Sequence, residues 1–179
     1  VPGVLSGILV AMSTPAGIRM IDVAAKPVTD RWARATALVR CRIETIHRIR
    51  AGTLDKGDAL AVARLAGVMA AKRTADVVPL CHPLPLDAVE VMITLPDVDP
   101  HADATDPAGT GVVSIEAVVR ATARTGVEME ALVAASAAAL AIYDLCKSID
   151  RGMAIERVRL EEKRGGRHGD WSRVANTAD

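Results

Sequence analysis

Residues 127–150, VEMEALVAASAAALAIYDLCKSID, constrain this chain more than any other segment. The run ALVAASAAALAI carries one hydroxyl and no charge, so a helix built from it is apolar on nearly every side and must be covered on more than one face. Charged groups are confined to its ends: Glu128 and Glu130 at the start, Asp144 and Lys147 near the finish. The rest of the chain has to supply the cover. ARATALVRCRI (33–43), DAVEVMITL (87–95), VVSIEAVVRATAR (112–124) and AIERVRLEEK (154–163) alternate or are rich in β-branched residues, which predicts four strands. ETIHRIRAG (44–52) predicts a short helix stopped by Gly52. KGDALAVARLAGVMAAKRT (56–74) predicts a longer one, with Asp58 as its cap and Lys72 and Arg73 at the end where the macrodipole favours cations. The order β–αα–β–β–α–β predicts an α+β fold of the ferredoxin-like, split βαβ type: an antiparallel sheet with helices on one face.

PLCHPLPL (79–86) holds three prolines in eight residues and predicts a stiff loop. Residues 96–111, rich in Pro, Asp and Gly, predict a long one. VLSGILVAM, near the start, is too short to span a bilayer and lacks a basic residue before it, so 1–19 is expected to be a disordered or added leader with no membrane role. A single domain is expected over 20–171, followed by a tail at 172–179.

Lys+Arg and Asp+Glu both number 22, so no bulk basic field for nucleic acid exists and any anion site must be built locally. With two Trp, one Tyr and no Phe, small aliphatic residues must fill the core. The segments read as strands carry no aromatic residue, which argues against an RNA-stacking sheet. Three cysteines without a framework spacing predict free thiols in a cytoplasmic protein. Cys81 and His82 have no second Cys or His at a ligand spacing, so no metal site is expected.

Four constellations can carry chemistry. Asp144 and Lys147, three apart on a helix, share a face; a surface ion pair is the ordinary reading, and a partly desolvated lysine with a lowered pKa is the functional one. His82 sits on the proline-fixed loop, suited to phosphate binding, to proton transfer, or simply to a backbone bond. Glu128 and Glu130 lie in the first turn of the helix, where acids are favoured anyway; functionally they suit the N–H groups of a base or pterin. Arg31, Lys56, Lys72, Arg73, Lys163 and Arg167 are scattered cations, the last two in the Gly-rich KRGGRHG. Glu128 and Asp144 stand roughly 24 Å apart on one helix at ~1.5 Å per residue. If both act, two chains must complete each site, which predicts a homo-oligomer.

Taken in order, IDVAAKPVTDRWARA, KGDALAVARLAGVMAAKRT, VVPLCHPLPL, TGVEMEAL, IYDLCKSID and KRGGRHGDW resemble the cyclic pyranopterin monophosphate synthase family of molybdenum-cofactor biosynthesis. The resemblance covers about residues 20–171. It implies a lyase that converts (8S)-3',8-cyclo-7,8-dihydroguanosine 5'-triphosphate to cyclic pyranopterin monophosphate with release of pyrophosphate, without metal or cofactor. It implies a hexamer built as a trimer of dimers with sites at the dimer interface. By position it places catalytic roles on Asp144, Lys147 and Lys163. It places substrate contacts on Leu80, Cys81, His82, Met129, Glu130, Glu128, Lys56 and Arg31. Arg124 and Arg167 stand where the family commonly has lysine, and arginine is not an equivalent proton donor. A nucleotide- or pterin-binding regulatory module on the same fold is the alternative, separated from an enzyme by whether pyrophosphate is released.

Overall fold

The computed structural model describes residues 17–97 and 109–173. Most of the expected leader and tail, and the middle of the loop at 96–111, lie outside the described residues. The elements are β1 (Thr29–Arg42), α1 (Ile43–Ala51), α2 (Ala59–Ala71), α3 (Thr74–Val77), β2 (Ala88–Thr94), β3 (Thr110–Ala123), α4 (Glu128–Cys146), β4 (Ala154–Arg164) and β5 (Trp171–Ser172). The sheet order is β2-β3-β1-β4-β5, with every neighbouring pair antiparallel. The first four strands and the two long helices reproduce the ferredoxin-like arrangement expected.

Alternation along β1 sets the layering. Ala33, Ala35, Ala37, Val39 and Cys41 are buried under the helices, while Trp32, Arg34, Thr36, Leu38 and Arg40 face away. β3 contributes Val113, Ile115, Ala117, Val119 and Ala121 to the same buried face. Against them lies α4, with Ala131, Ala134, Ala135, Ala138, Ala139 and Ile142 fully buried. Alanine on both surfaces lets helix and sheet approach closely without aromatic side chains. By length and mean hydropathy α4 is the one helix among the described residues that could cross a membrane. Its contacts with the sheet and with α2 make it the core helix of this fold. On α2, the Asp58 carboxylate accepts from Leu60 N and Ala61 N, at 2.9 and 3.0 Å, as an N-cap.

Four features differ from expectation, the first being the one-turn helix α3. α4 ends at Cys146, four residues before the expected finish, and the chain then turns so that the Asp150 carboxylate accepts from Arg42 N at 2.8 Å. A fifth strand, Trp171–Ser172, pairs with Glu162 and Lys163; two residues are too few for periodicity to register. β1 starts at Thr29, so a strand does carry an aromatic, Trp32. The guanidinium of Arg164 covers that ring at 4.6 Å, which makes it an arginine platform within the sheet's outer face.

Candidate active site

The turn before α2 brings the first group together. Gly57 has φ of 94°, a conformation that strains any other residue, and its amide closes a turn onto Leu54 O. Asp58 then caps the helix, and Lys56 is left pointing at the end of α4, against which α2 packs. Lys56 Nζ lies 2.8 Å from Asp144 Oδ2 and 3.0 Å from the Asp144 carbonyl oxygen. On the other carboxylate oxygen, Lys147 Nζ approaches to 2.7 Å. Asp144 is thus held between two ammonium groups, all three side chains about half exposed.

Hydrogen bonds from Lys147 and then Lys56 lower the Asp144 carboxyl to about 2. The same bond to Asp144 raises Lys147. This corrects the expectation of a lysine lowered by desolvation: the end of α4 is open to water, so the partner's charge outweighs burial. At neutral pH the resting subunit presents Lys147 as an ammonium, a proton donor. Because the folded-state value of Asp144 lies below its ordinary one, its contribution to stability is present above the usual carboxylate range and is lost as pH falls through about 2. Carboxyl-carbon NMR should show Asp144 ionised down to about pH 2; a midpoint near the ordinary 3.8 would show that the two lysines do not hold it.

At the opposite end of α4, Glu128, Met129 and Glu130 meet the proline-fixed loop. Leu80, Cys81 and His82 line a recess of about 240 Å³ with these three. Glu130 is only 4 % exposed, and burial raises its carboxyl, helped by neighbouring Glu128. Burial also raises the Cys81 thiol, with Glu130 adding to it. Lys163, on β4 opposite Ala33, reaches Glu128 Oε1 at 3.4 Å.

Arg31 borders this group but is engaged by backbone. It is 8 % exposed, and Nε and Nη2 each donate at 3.3 Å, to the carbonyls of Ala123 and Arg124. Gly166, with φ of 87°, lies so close to this guanidinium that a Cβ there would collide with it. The two glycines of KRGG thus let the tail pass close over Arg31, which is itself held to the end of β3. Arg124 holds the Lys26 carbonyl at 3.2 Å.

Of the predicted residues, Lys56, Asp144 and Lys147 are brought together at one end. Leu80, Cys81, His82, Glu128, Met129, Glu130 and Lys163 gather at the other. Lys163 stands with Glu128 and apart from the Asp144–Lys147 pair with which it was grouped. Within one subunit the two groups are separated by the length of α4, roughly 24 Å. A profile of the MoaC family matches residues 20–166. The chain belongs to the MoaC family. It is 52 % identical over 160 residues to a cyclic pyranopterin monophosphate synthase of Thermomicrobium roseum, covering 89 % of this chain and 90 % of that one. It is 54 % identical over 153 residues to the synthase of Roseiflexus sp., covering 86 % and 90 %. It is 47 % identical over 167 residues to cyclic pyranopterin monophosphate synthase 3 of Mycobacterium tuberculosis, covering 93 % and 88 %. The family match includes both ends of α4 and both loops that face them.

One pair of residues escaped assignment. Lys72 and Arg73 line a second recess that also contains His82 and Glu130. The sequence places them at the end of a helix and among the scattered cations, and only the folded path of the 79–86 loop brings them beside His82.

Proposed function

We propose that this chain is a lyase that converts (8S)-3',8-cyclo-7,8-dihydroguanosine 5'-triphosphate to cyclic pyranopterin monophosphate and pyrophosphate. The observation that carries the reading is membership of the MoaC family, with named synthases about half identical over most of the chain. Apart from Arg31, which backbone carbonyls engage, the residues that the family resemblance marks as functional fall into two clusters, each chemically suited to part of the reaction.

Glu128 and Glu130 offer acceptors to the amino and ring N–H groups of the purine-derived ring. Lys147 acts as general acid and base while that ring is opened and rebuilt, starting from its ammonium form. Asp144 orients it. The cyclic phosphate forms when a substrate hydroxyl oxygen bonds to the α-phosphorus and the bond to the bridging oxygen breaks. Pyrophosphate leaves, and the hydroxyl proton passes to a base of the site. Lys163 and Lys56 provide cations for the charge that develops, and His82 a ring N–H beside them. The domain doing this work spans 20–171 and acts in the cytoplasm; its three free thiols suit a reducing compartment.

Each site draws on two subunits: Lys56, Asp144 and Lys147 from one, and Glu128, Glu130, Lys163 and the Leu80–His82 stretch from its neighbour. The separation along α4 supports this, as do the exposed apolar side chains of Leu65, Met69 and Leu140 on the helical layer. The assembly is a hexamer, a trimer of dimers.

The direct test is pyrophosphate release from the cyclic triphosphate by purified protein. Binding without release would favour the regulatory module. Shared sites make a further prediction. Lys147→Ala and Glu130→Gln subunits, each inactive alone, should regain about a quarter of wild-type activity when co-assembled at random, because half the dimers are mixed and each then holds one intact site. No recovery in assemblies shown to be mixed would place each site within one chain.

A further inference from the structure

Lys163 reaches Glu128 from the sheet, and an irregularity in β4 sets the direction it takes. On β1, Ala33, Ala35 and Ala37 face the helices, while Trp32, Arg34 and Thr36 face away. Residues of β4 directly opposite them share their face. Val158 opposes Ala37, Arg159 opposes Thr36 and Leu160 opposes Ala35. The register then slips by one: Glu162 opposes Arg34, Lys163 opposes Ala33 and Arg164 opposes Trp32. Glu161 has no partner on β1, which makes it the extra residue of a β-bulge. Since Leu160 faces the helices, unbroken alternation from there would turn Lys163 to the outer face, away from Glu128. With the bulge, Glu161 and Glu162 both lie on the outer face, beside Thr36 and Arg34, and Lys163 turns inward to 3.4 Å from Glu128 Oε1. A second slip lies earlier in β4, between the partners of Leu38 and Val39, and leaves the stretch from Arg157 to Leu160 regular.

The extra residue is pinned from three directions. Thr36 Oγ1 donates to the Glu161 carboxylate at 2.6 Å, and Arg159 Nε donates to it at 2.5 Å. Arg173, just beyond β5, lies 3.7 Å from its second oxygen. The backbone is held as well. Arg173 N donates to Glu161 O at 2.9 Å, and the Arg173 guanidinium donates twice to Leu160 O, at 2.9 and 3.0 Å. Glu161 is 8 % exposed. Burial opposes its charge, but the Thr36 hydroxyl and Arg159 outweigh that and hold the carboxyl below its ordinary value. The buried acid thus stays ionised within the partners that fix the bulge.

We infer that Glu161 is a positioning residue for the reaction: its carboxylate keeps the extra residue in the bulge, and the bulge turns Lys163 into the site. The role of Lys163 rests on the function proposed above, but the direction it takes can be measured without turnover. Glu161→Val removes the carboxylate and supplies a strong strand former. The ladder should become regular, with position 161 opposite Arg34 and Lys163 opposite Trp32 on the outer face. A crystal structure of the variant reads that register. Pyrophosphate release should fall about 100-fold, in kcat rather than KM. Deleting Glu161 removes the same carboxylate but also the extra residue. Leu160 then leads directly to Glu162 opposite Arg34, and Lys163 keeps its inward direction. The two variants should lose similar stability, read as Tm, yet the deletion should keep most of the wild-type rate. A role for Glu161 in stability alone predicts equal losses of rate. Three results each overturn the inference: Lys163 still opposite Ala33 in Glu161→Val, a deletion as slow as Glu161→Val, or a deletion that does not fold. Should Glu161→Val itself fail to fold, the rate of the deletion decides alone. A register that shifts with no loss of rate overturns the link to the reaction. If wild type releases no pyrophosphate, the functional reading fails, and the crystallographic registers still decide whether Glu161 sets the direction of Lys163.

Discussion

Replacing Lys147 by alanine is expected to lower the rate of pyrophosphate release by about 10²–10⁴-fold, the range for loss of a positioned acid–base group. The side chain is half exposed and lies at the C-terminal end of α4, so folding should survive intact. The loss should fall mainly on kcat, because Lys147 is asked to move protons. Its ammonium is held by Asp144, which raises its pKa. Asp144→Asn should therefore do more than remove a negative charge. It releases Lys147 to titrate at lower pH and leaves Lys56 without its carboxylate, so the alkaline limb of the pH–rate profile should move to lower pH. Near-normal turnover in Lys147→Ala would reject the proton-transfer role. An unmoved alkaline limb in Asp144→Asn would show that Asp144 does not tune it.

Asp150→Ala should cause the largest loss of stability, about 3–5 kcal/mol. Asp150 is 3 % exposed, and its carboxylate accepts from Arg42 N at 2.8 Å, Thr45 Oγ1 at 3.1 Å and Gly152 N at 3.1 Å. The Arg42 guanidinium lies beside it, with Nε at 3.6 Å, and also bonds the Ile149 carbonyl. One carboxylate thus ties the exit from α4 to the junction of β1 and α1. Alanine would leave several donors unpaired, two of them backbone N–H groups. A fall in Tm of roughly 10 °C is expected for a domain of this size. A fall of less than about 2 °C would mean that water replaces the carboxylate without cost.

Much of the fold was legible because two periodicities dominate this chain. Alternation in β1 and β3 marks the buried alanine and valine face, and the uncharged run in α4 marks a helix that needs cover on several sides. Short or context-bound elements were not legible. β5 is two residues long and exists only because β4 offers an edge. The true end of α4 depends on Asp150 meeting Arg42, more than a hundred residues earlier. The site divides along the same line. Spacing alone could pair Asp144 with Lys147, since both stand on one helix. It could not add Lys56, which reaches them only because α2 packs on α4. Nor could it show that Arg31 is engaged by carbonyls, or that Lys72 and Arg73 stand beside His82. The sequence by itself determined the long strands and helices, the fold class and the inventory of charged groups, because these follow from local pattern and motif. Only the tertiary structure decided which charges neutralise one another and which remain available to a substrate, because ion pairing depends on distances between segments far apart in the chain.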